Sequence, residues 1–234
     1  MKLRRRLLAE GMGTAMLLAI VIGSGISGGW AAKELCDRGL RTLVLERGRN
    51  VEHLKDYPTA VANPWDLPRR GRLTHDVVRD NPIAKKCYAF DEATAHFFAK
   101  DAEQPYQQEK PFDWIRGYQV GGRSLLWGRH SYRWSDFDFE ANAKEGVAVD
   151  WPIRYADIAP WYDHVERFAG ISGQKEGLPQ LPDGEFLPVW EMNDGEKLFK
   201  AAVEAKFPGR KVIMGRNANL SVAQPHHEAL GRTS

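Results

Sequence analysis

The chain is poor in cysteine: Cys36 and Cys87 are the only two in 234 residues, and they stand far apart with no metal-ligand spacing. That excludes a disulfide-built scaffold and a cysteine-based zinc centre, and nothing in the composition demands an oxidising compartment. An excess of one charge is missing as well. The 33 Lys and Arg against 31 Asp and Glu leave a formal net charge of +2, spread along the chain, which speaks against a nucleic-acid-binding role. No apolar run is long enough to span a bilayer. Internal repeats, low-complexity tracts and a P-loop are also absent. The length suffices for one large domain, or one and a half ordinary ones.

What the chain does contain begins with the stretch Ile20-Val21-Ile22-Gly23-Ser24-Gly25-Ile26-Ser27-Gly28-Gly29. The apolar run from Met16 to Ile22 reads as a strand. Trp30-Ala31-Ala32-Lys33-Glu34-Leu35 reads as a helix, with Cys36 expected inside it as a small buried apolar residue. The glycine spacing between them is G-x-G-x-x-G. Gly23 is expected to permit the tight turn, Gly25 the approach of a pyrophosphate, and Gly28 the close packing of helix on strand. Leu43-Val44-Leu45 is a second strand ending in Glu46, at the distance where a carboxylate accepts hydrogen bonds from an adenosine ribose. Strand, glycines, helix, strand and acid in that order describe a Rossmann-like βαβ unit over residues 17–48, and with it an α/β fold.

Ahead of it, Lys2, Arg4, Arg5 and Arg6 followed by Leu7-Leu8 resemble a secretory or twin-arginine signal. The only strong apolar run, however, is also the first strand, and Glu10 and several polar or glycine residues interrupt the approach to it. Residues 1–16 are therefore expected to be an irregular or disordered leader. The protein is expected to be cytoplasmic, with periplasmic export as the alternative.

After Gly48 the pattern dissolves into a proline-punctuated stretch over 49–113, expected to hold loops and short helices, one of them around Glu92–Lys100. Val120-Gly121-Gly122-Arg123-Ser124-Leu125-Leu126-Trp127-Gly128 then offers a second glycine turn, where bare backbone can approach a flat or anionic ligand. His130, just beyond, reads as either a cofactor contact or a structural residue. A helix over about Ala156–Phe168 carries Ile158, Trp161, Tyr162, Val165 and Phe168 as a core-facing stripe, with Asp157 in its first turn. Glu196–Lys206 reads as a further helix and Lys211-Val212-Ile213-Met214 as a short strand. His226-His227 is a poor metal pair, because adjacent side chains on an extended segment point apart. Ordinary polar surface is expected there, and no metal site anywhere.

Taken together, Gly23–Gly29, Leu43–Gly48, Val120–Gly128 and Asp150-Trp151-Pro152-Ile153 through Trp161-Tyr162 resemble the glucose-methanol-choline (GMC) family of FAD-dependent oxidoreductases. The resemblance covers most of residues 17–168. It implies that Gly23, Gly25 and Gly28 hold the FAD pyrophosphate and Glu46 the adenosine ribose. Gly121, Gly122, Ser124 and Gly128 are placed along pyrophosphate and flavin. Some pyranose-oxidising relatives attach their flavin through a His just before the Trp of this motif. Leu126 stands there in this chain, so the implied flavin is non-covalent. Relatives are about twice this length or more, with a catalytic His and its His or Asn partner near their C-terminus. The resemblance therefore implies a partial FAD-binding domain, an N-terminal fragment or truncated product, over 17–234. Its parts are the insertion 49–113, the flavin-contacting turn and helices 114–170, and the start of a further segment, 171–234. No catalytic residue is assigned within it.

The function so implied is hydride transfer from the CH–OH group of an alcohol or sugar to flavin, with an unknown electron acceptor. A membrane-bound partner subunit is left open and nucleic acid is excluded. Two rivals stand beside it. An NAD(P)-dependent reductase explains Gly23 to Glu46 but gives Gly121, Gly122 and Trp127 no task. A non-catalytic remnant with exposed apolar sheet edges is the other.

Overall fold

A computed structural model describes residues 18–52, 55–60 and 62–233. The leader over 1–16 expected above, with any export signal in it, lies outside the described residues. The chain divides between Trp127 and Gly128 into two compact units.

In the first unit, strand β1 (Ala19–Ile22), helix α1 (Ile26–Asp37) and strand β2 (Thr42–Leu45) form a parallel βαβ crossover. Ala19 pairs with Thr42, Ile20 with Leu43, Val21 with Val44 and Ile22 with Leu45. Both strands are short, β-branched and aliphatic, as parallel strands are. The N–H of Gly39, at φ 76°, donates to the Cys36 carbonyl (2.7 Å), and the Leu40 N–H donates to that of Leu35 (3.0 Å). A glycine in that conformation turns the chain off the helix end and into β2. Val21 is the one buried residue of the sheet. Ile22 remains 85 % exposed, and Ile20, Leu43, Val44 and Leu45 are exposed as well. Cys36, expected to be buried, is exposed, because α1 buries no residue fully.

The stretch 49–113 is not structureless. Helix α2 (His75–Asp80) is capped by Thr74, whose hydroxyl accepts the Val77 N–H at 3.3 Å. Around it Ala84, Phe90 and Phe98 form a small core, with Leu73, Val77, Ile115 and Leu126 packed against it. The Phe90 and Phe98 rings meet edge to face at 5.0 Å. The helix expected around Glu92–Lys100 shrinks to a single 3₁₀ turn, Ala95–Phe97. Asp91 accepts the N–H groups of Ala93 and Thr94 and starts a turn, and the Ala99 N–H donates to the Arg116 carbonyl, which ends it. The chain returns along residues 117–120, where Arg49 and Gln119 form a parallel bridge, and closes in a 3₁₀ turn at Gly122–Leu125.

The second unit holds helices α3 (Asp136–Glu145), α4 (Tyr155–Ala169), α5 (Asp194–Lys206) and α6 (Pro225–Glu228). Asp157 accepts the Arg154 N–H at 2.8 Å and starts α4. The stripe read on α4 is only partly right. Ile158, Tyr162, Val165 and Phe168 are half-buried, but Trp161 is 60 % exposed, and the most buried residue of the helix is Glu166. Burial there follows charge pairing. Glu166 accepts two bonds from the Arg133 guanidinium (2.8 and 2.5 Å), and Arg133 also reaches Asp163 and the Tyr155 hydroxyl (2.8 Å). Lys211–Met214 forms no strand, since no segment among the described residues pairs with it. Its Val212 N–H goes to the Glu204 side chain at 3.1 Å instead.

The His226-His227 pair also departs from expectation. It lies on α6 rather than on an extended segment, so the rings converge to 3.9 Å between centroids. Both Nε2 atoms donate to the Arg167 carbonyl (2.8 and 3.0 Å), and His227 is fully buried. The pair caps the end of α4; His226 stays exposed, as expected, while His227 is buried beneath it and is not polar surface.

Candidate functional site

The three glycines of the first turn are required for three different reasons. Gly23 sits at φ 93°, a conformation that side chains other than hydrogen avoid, and its N–H donates to the Leu45 carbonyl at 2.7 Å. Gly25 is the N-cap of α1, with extended backbone and no heavy atom within 4 Å of where a Cβ would stand. Gly28 is walled in: a Cβ there would lie 2.0 Å from the Gly23 carbonyl oxygen and 3.4 Å from Val21 Cγ1. Helix α1 therefore rests on β1 only because residue 28 has no side chain. Its N-terminus carries no side-chain cap and no acid in its first turn, leaving amides and dipole available to an anion.

Glu46 comes back to this turn. Its Oε2 accepts the Ser24 N–H (2.9 Å) and the Ser24 hydroxyl (2.6 Å), and its Oε1 accepts the Gly48 N–H (2.7 Å). The Ser24 hydroxyl bond, followed by the backbone bonds from Ser24 and Gly48, holds its pKa below the ordinary glutamate value, so the group is a carboxylate.

The second glycine turn meets the first. Gly121 and Gly122 both have positive φ, 86° and 56°. The Gly121 N–H donates to Ser24 Oγ at 3.1 Å, and a Cβ on Gly122 would stand 3.3 Å from Gly25 Cα. Ser124 closes this turn on itself, its hydroxyl donating to the Gly121 carbonyl at 2.6 Å. The structure thus brings Gly23, Gly25, Gly28, Glu46, Gly121, Gly122 and Ser124 into one constellation. Gly128 belongs to the second unit, where its carbonyl accepts Asn217 Nδ2 at 3.4 Å. His130, in the same unit, bridges to Asn217 and stacks on Tyr132.

Two residues at this site escaped the sequence reading. Ser24 occupies a variable position of the glycine motif, and only its spacing of 22 residues from Glu46 hints at a partner. At Gly48 a Cβ would lie 2.2 Å from the backbone of Tyr118, so this glycine lets the returning segment run beside the end of β2. Arg47 stacks its guanidinium on the Tyr118 ring at 3.9 Å and steadies that segment.

This donor set suits an adenine dinucleotide. Uncapped amides and open space at Gly25 fit a pyrophosphate, and a fixed carboxylate fits a ribose diol. Among the described residues no group of three or more His, Cys, Asp or Glu could hold a metal ion. Two clefts of about 390 and 370 Å³ in the second unit, one beside Tyr155 and one beside Phe199, are lined by none of these residues. No helix among the described residues is long and apolar enough to cross a membrane.

No protein-family model matches the chain. Among curated proteins it is similar to paromamine 6'-oxidase of Streptomyces fradiae, 30% identical over 161 residues, covering 68% of this chain and 24% of that protein. It is similar to the fructose dehydrogenase large subunit of Gluconobacter japonicus, 26% identical over 214 residues, 88% of this chain and 38% of that one. The gluconate 2-dehydrogenase flavoprotein of Pantoea cypripedii is 28% identical over 217 residues, 80% of this chain and 33% of that one. Sugar and alcohol dehydrogenases and oxidases form the class that these relatives share. The chain belongs to the glucose-methanol-choline family of oxidoreductases. It spans between 24% and 38% of the length of these three relatives.

Proposed function

We propose that this chain is the FAD-binding portion of an oxidoreductase acting on CH–OH groups of alcohols or sugars, built on a Rossmann-like βαβ unit. One observation carries the reading: Glu46 and the Gly121-Gly122 turn both close on Ser24, at the mouth of the crossover. In this reading Gly23, Gly25 and Gly28 present the N-terminus of α1 to the pyrophosphate. Glu46 accepts the ribose hydroxyls, and Gly121 and Gly122 supply bare backbone beside the dinucleotide. The flavin, when bound non-covalently, supplies the hydride acceptor. No residue of this chain is given the part of the base that takes the alcohol proton. The relatives are named for paromamine, fructose and gluconate, and they support an alcohol or sugar as substrate. The name "large subunit" of one relative supports a partner subunit.

A second reading, a remnant that holds no cofactor tightly, has one observation in its favour. The sheet exposes apolar side chains on both strands, Ile22 foremost. One experiment separates the two. Purified protein given FAD and desalted is expected to keep stoichiometric flavin absorbance, to melt cooperatively and to pass through a nicotinamide-nucleotide column. Protein that comes out colourless overturns the flavin reading, and retention on the column favours a nicotinamide reductase.

A further inference from the structure

Three donors fix Glu46: the Ser24 N–H, the Gly48 N–H and the Ser24 hydroxyl. Two of them are backbone groups that any residue supplies. The third is the one side-chain donor on Glu46 among the described residues. The same oxygen also accepts the Gly121 N–H at 3.1 Å, which makes it the one hydrogen bond running between the two glycine turns among those residues. A hydroxyl can do this because it gives one hydrogen and takes another. An ionised carboxylate offers about four lone-pair positions. With three engaged, Glu46 can be neither rotated nor withdrawn without breaking a charge-assisted bond.

We infer that Ser24 is a positioning residue for the adenosine end of the dinucleotide. Its hydroxyl aims Glu46 at the ribose and locks the Gly121-Gly122 turn against the first turn. The inference rests on the reading of this site as an FAD site. Gly48 and the Ser24 amide hold the carboxylate in place but leave it free to swing about the bonds they make. Ser24 Oγ removes that freedom before the ligand arrives, which is what preorganised recognition requires. The alternative, that Ser24 stands in for a ribose hydroxyl and is displaced by it, makes the opposite prediction. Removing the hydroxyl would then leave binding unchanged or tighter.

The test uses the full chain with FAD, ADP and dideoxy-ADP, which lacks both ribose hydroxyls, as probes. Affinities are read by calorimetry in the unaltered protein, Ser24→Ala and Ser24→Thr. Ser24→Ala is expected to bind FAD and ADP about tenfold more weakly, the equivalent of one hydrogen bond to a charged group. Its affinity for dideoxy-ADP is expected to equal that of the unaltered protein, and Ser24→Thr, which keeps a hydroxyl, to recover ADP binding. Thermal melting of each ligand-free variant separates misfolding from lost recognition. Equal losses for ADP and dideoxy-ADP assign Ser24 to the fold alone and overturn the inference. Undiminished ADP affinity in Ser24→Ala overturns it in favour of displacement. If the unaltered chain binds none of the three probes, the FAD reading itself falls, and this inference with it.

Discussion

The backbone at Gly28 faces the Gly23 carbonyl so closely that a Cβ would lie 2.0 Å from its oxygen, whereas a Cβ at Gly25 would meet nothing within 4 Å. The glycines of one motif therefore separate into a packing role and a binding role. Gly28→Ala must push α1 away from β1 and is expected to cost about 1–3 kcal/mol or more, as overpacking does. Gly25→Ala has room and allowed backbone angles, so its cost in the ligand-free protein is expected to stay below about 1 kcal/mol. Its methyl group would instead stand in the space offered to a pyrophosphate. Urea unfolding and FAD titration of the two variants check the division: Gly28→Ala should lose stability first, Gly25→Ala cofactor affinity first.

Glu46 gives a pH-dependent signature. Its pKa is lowered in the fold, chiefly by the Ser24 hydroxyl and then by the backbone bonds from Ser24 and Gly48. A lowered carboxylate contributes stability that is present above its unfolded value, about 4.3, and is lost as pH falls through its folded value. Glu46→Gln is accordingly expected to be less stable than the unaltered protein at pH 7, with the gap closing below about pH 4.3. FAD affinity of Glu46→Gln at pH 7 should fall by about tenfold or more, since a charged acceptor is replaced by a neutral one. Unfolding curves at stepped pH values, with FAD titration at pH 7, measure both. A gap that stays constant down to pH 3 would contradict the assignment.

How much of this was legible in the sequence depends on which force decides each feature. Gly23, Gly28 and the βαβ order were readable because local sterics and short-range periodicity fix them, and Gly23 Cα geometry needs no distant partner. Glu46 and the Gly121-Gly122 turn were readable through motif spacing and resemblance. Their meeting at Ser24 was not, because 97 residues separate Ser24 from Gly121 and no local pattern records that contact. Elsewhere the failures share a cause. Trp161 counted as core by periodicity, yet burial on α4 is governed by the Arg133–Glu166 ion pair, which the apolar stripe cannot show. His227 read as surface, like its exposed neighbour His226, because the pair was placed on an extended segment, whereas Pro225 at the first position starts a helix that turns His227 inward. Lys211–Met214 has strand composition but no neighbour to pair with among the described residues.

That ion pair is itself testable. Arg133 is 5 % exposed and Glu166 6 %, so each neutralises a charge that water no longer solvates. Burial disfavours the Arg133 cation, but its bonds to Glu166, Asp163 and Tyr155 outweigh this and hold it protonated. Glu166 also accepts the Glu185 N–H at 2.9 Å, which draws the segment after Gly184 onto the helix. Arg133→Met leaves Glu166 buried and unpaired and is expected to cost about 3–5 kcal/mol. The double variant Arg133→Met/Glu166→Leu should cost less than the sum of the two single changes, because it removes both charges together. Denaturant unfolding of the three variants gives the comparison.

His227 is expected to make the second unit sensitive to mild acid. The Gln224 N–H donates to its Nδ1 at 3.2 Å, and its Nε2 faces the Arg167 carbonyl at 3.0 Å, which can only accept. The ring is therefore neutral, with its proton on Nε2, and a second proton would have to displace the Gln224 amide. Burial lowers its pKa most; the nearby charges of His226 and Arg232 act in the same direction, and the bond to the Arg167 carbonyl opposes them. A base with a lowered folded value binds protons more readily when unfolded. Its contribution to stability is thus intact above the unfolded value, about 6.5, and declines as pH falls from there toward the folded value. The same carbonyl end of α4 is held by Arg232, which donates to the Phe168 carbonyl at 2.7 Å and also to that of Ala169. Loss of the His227 contact should therefore loosen α6 and residue 232 together. Stability measured by urea unfolding is expected to fall between pH 7 and pH 5 in the unaltered protein. In His227→Gln, which keeps an amide donor for the carbonyl but no titrating ring, that decline should shrink from a lower starting stability. An equal decline in both proteins would show that another group sets the acid response.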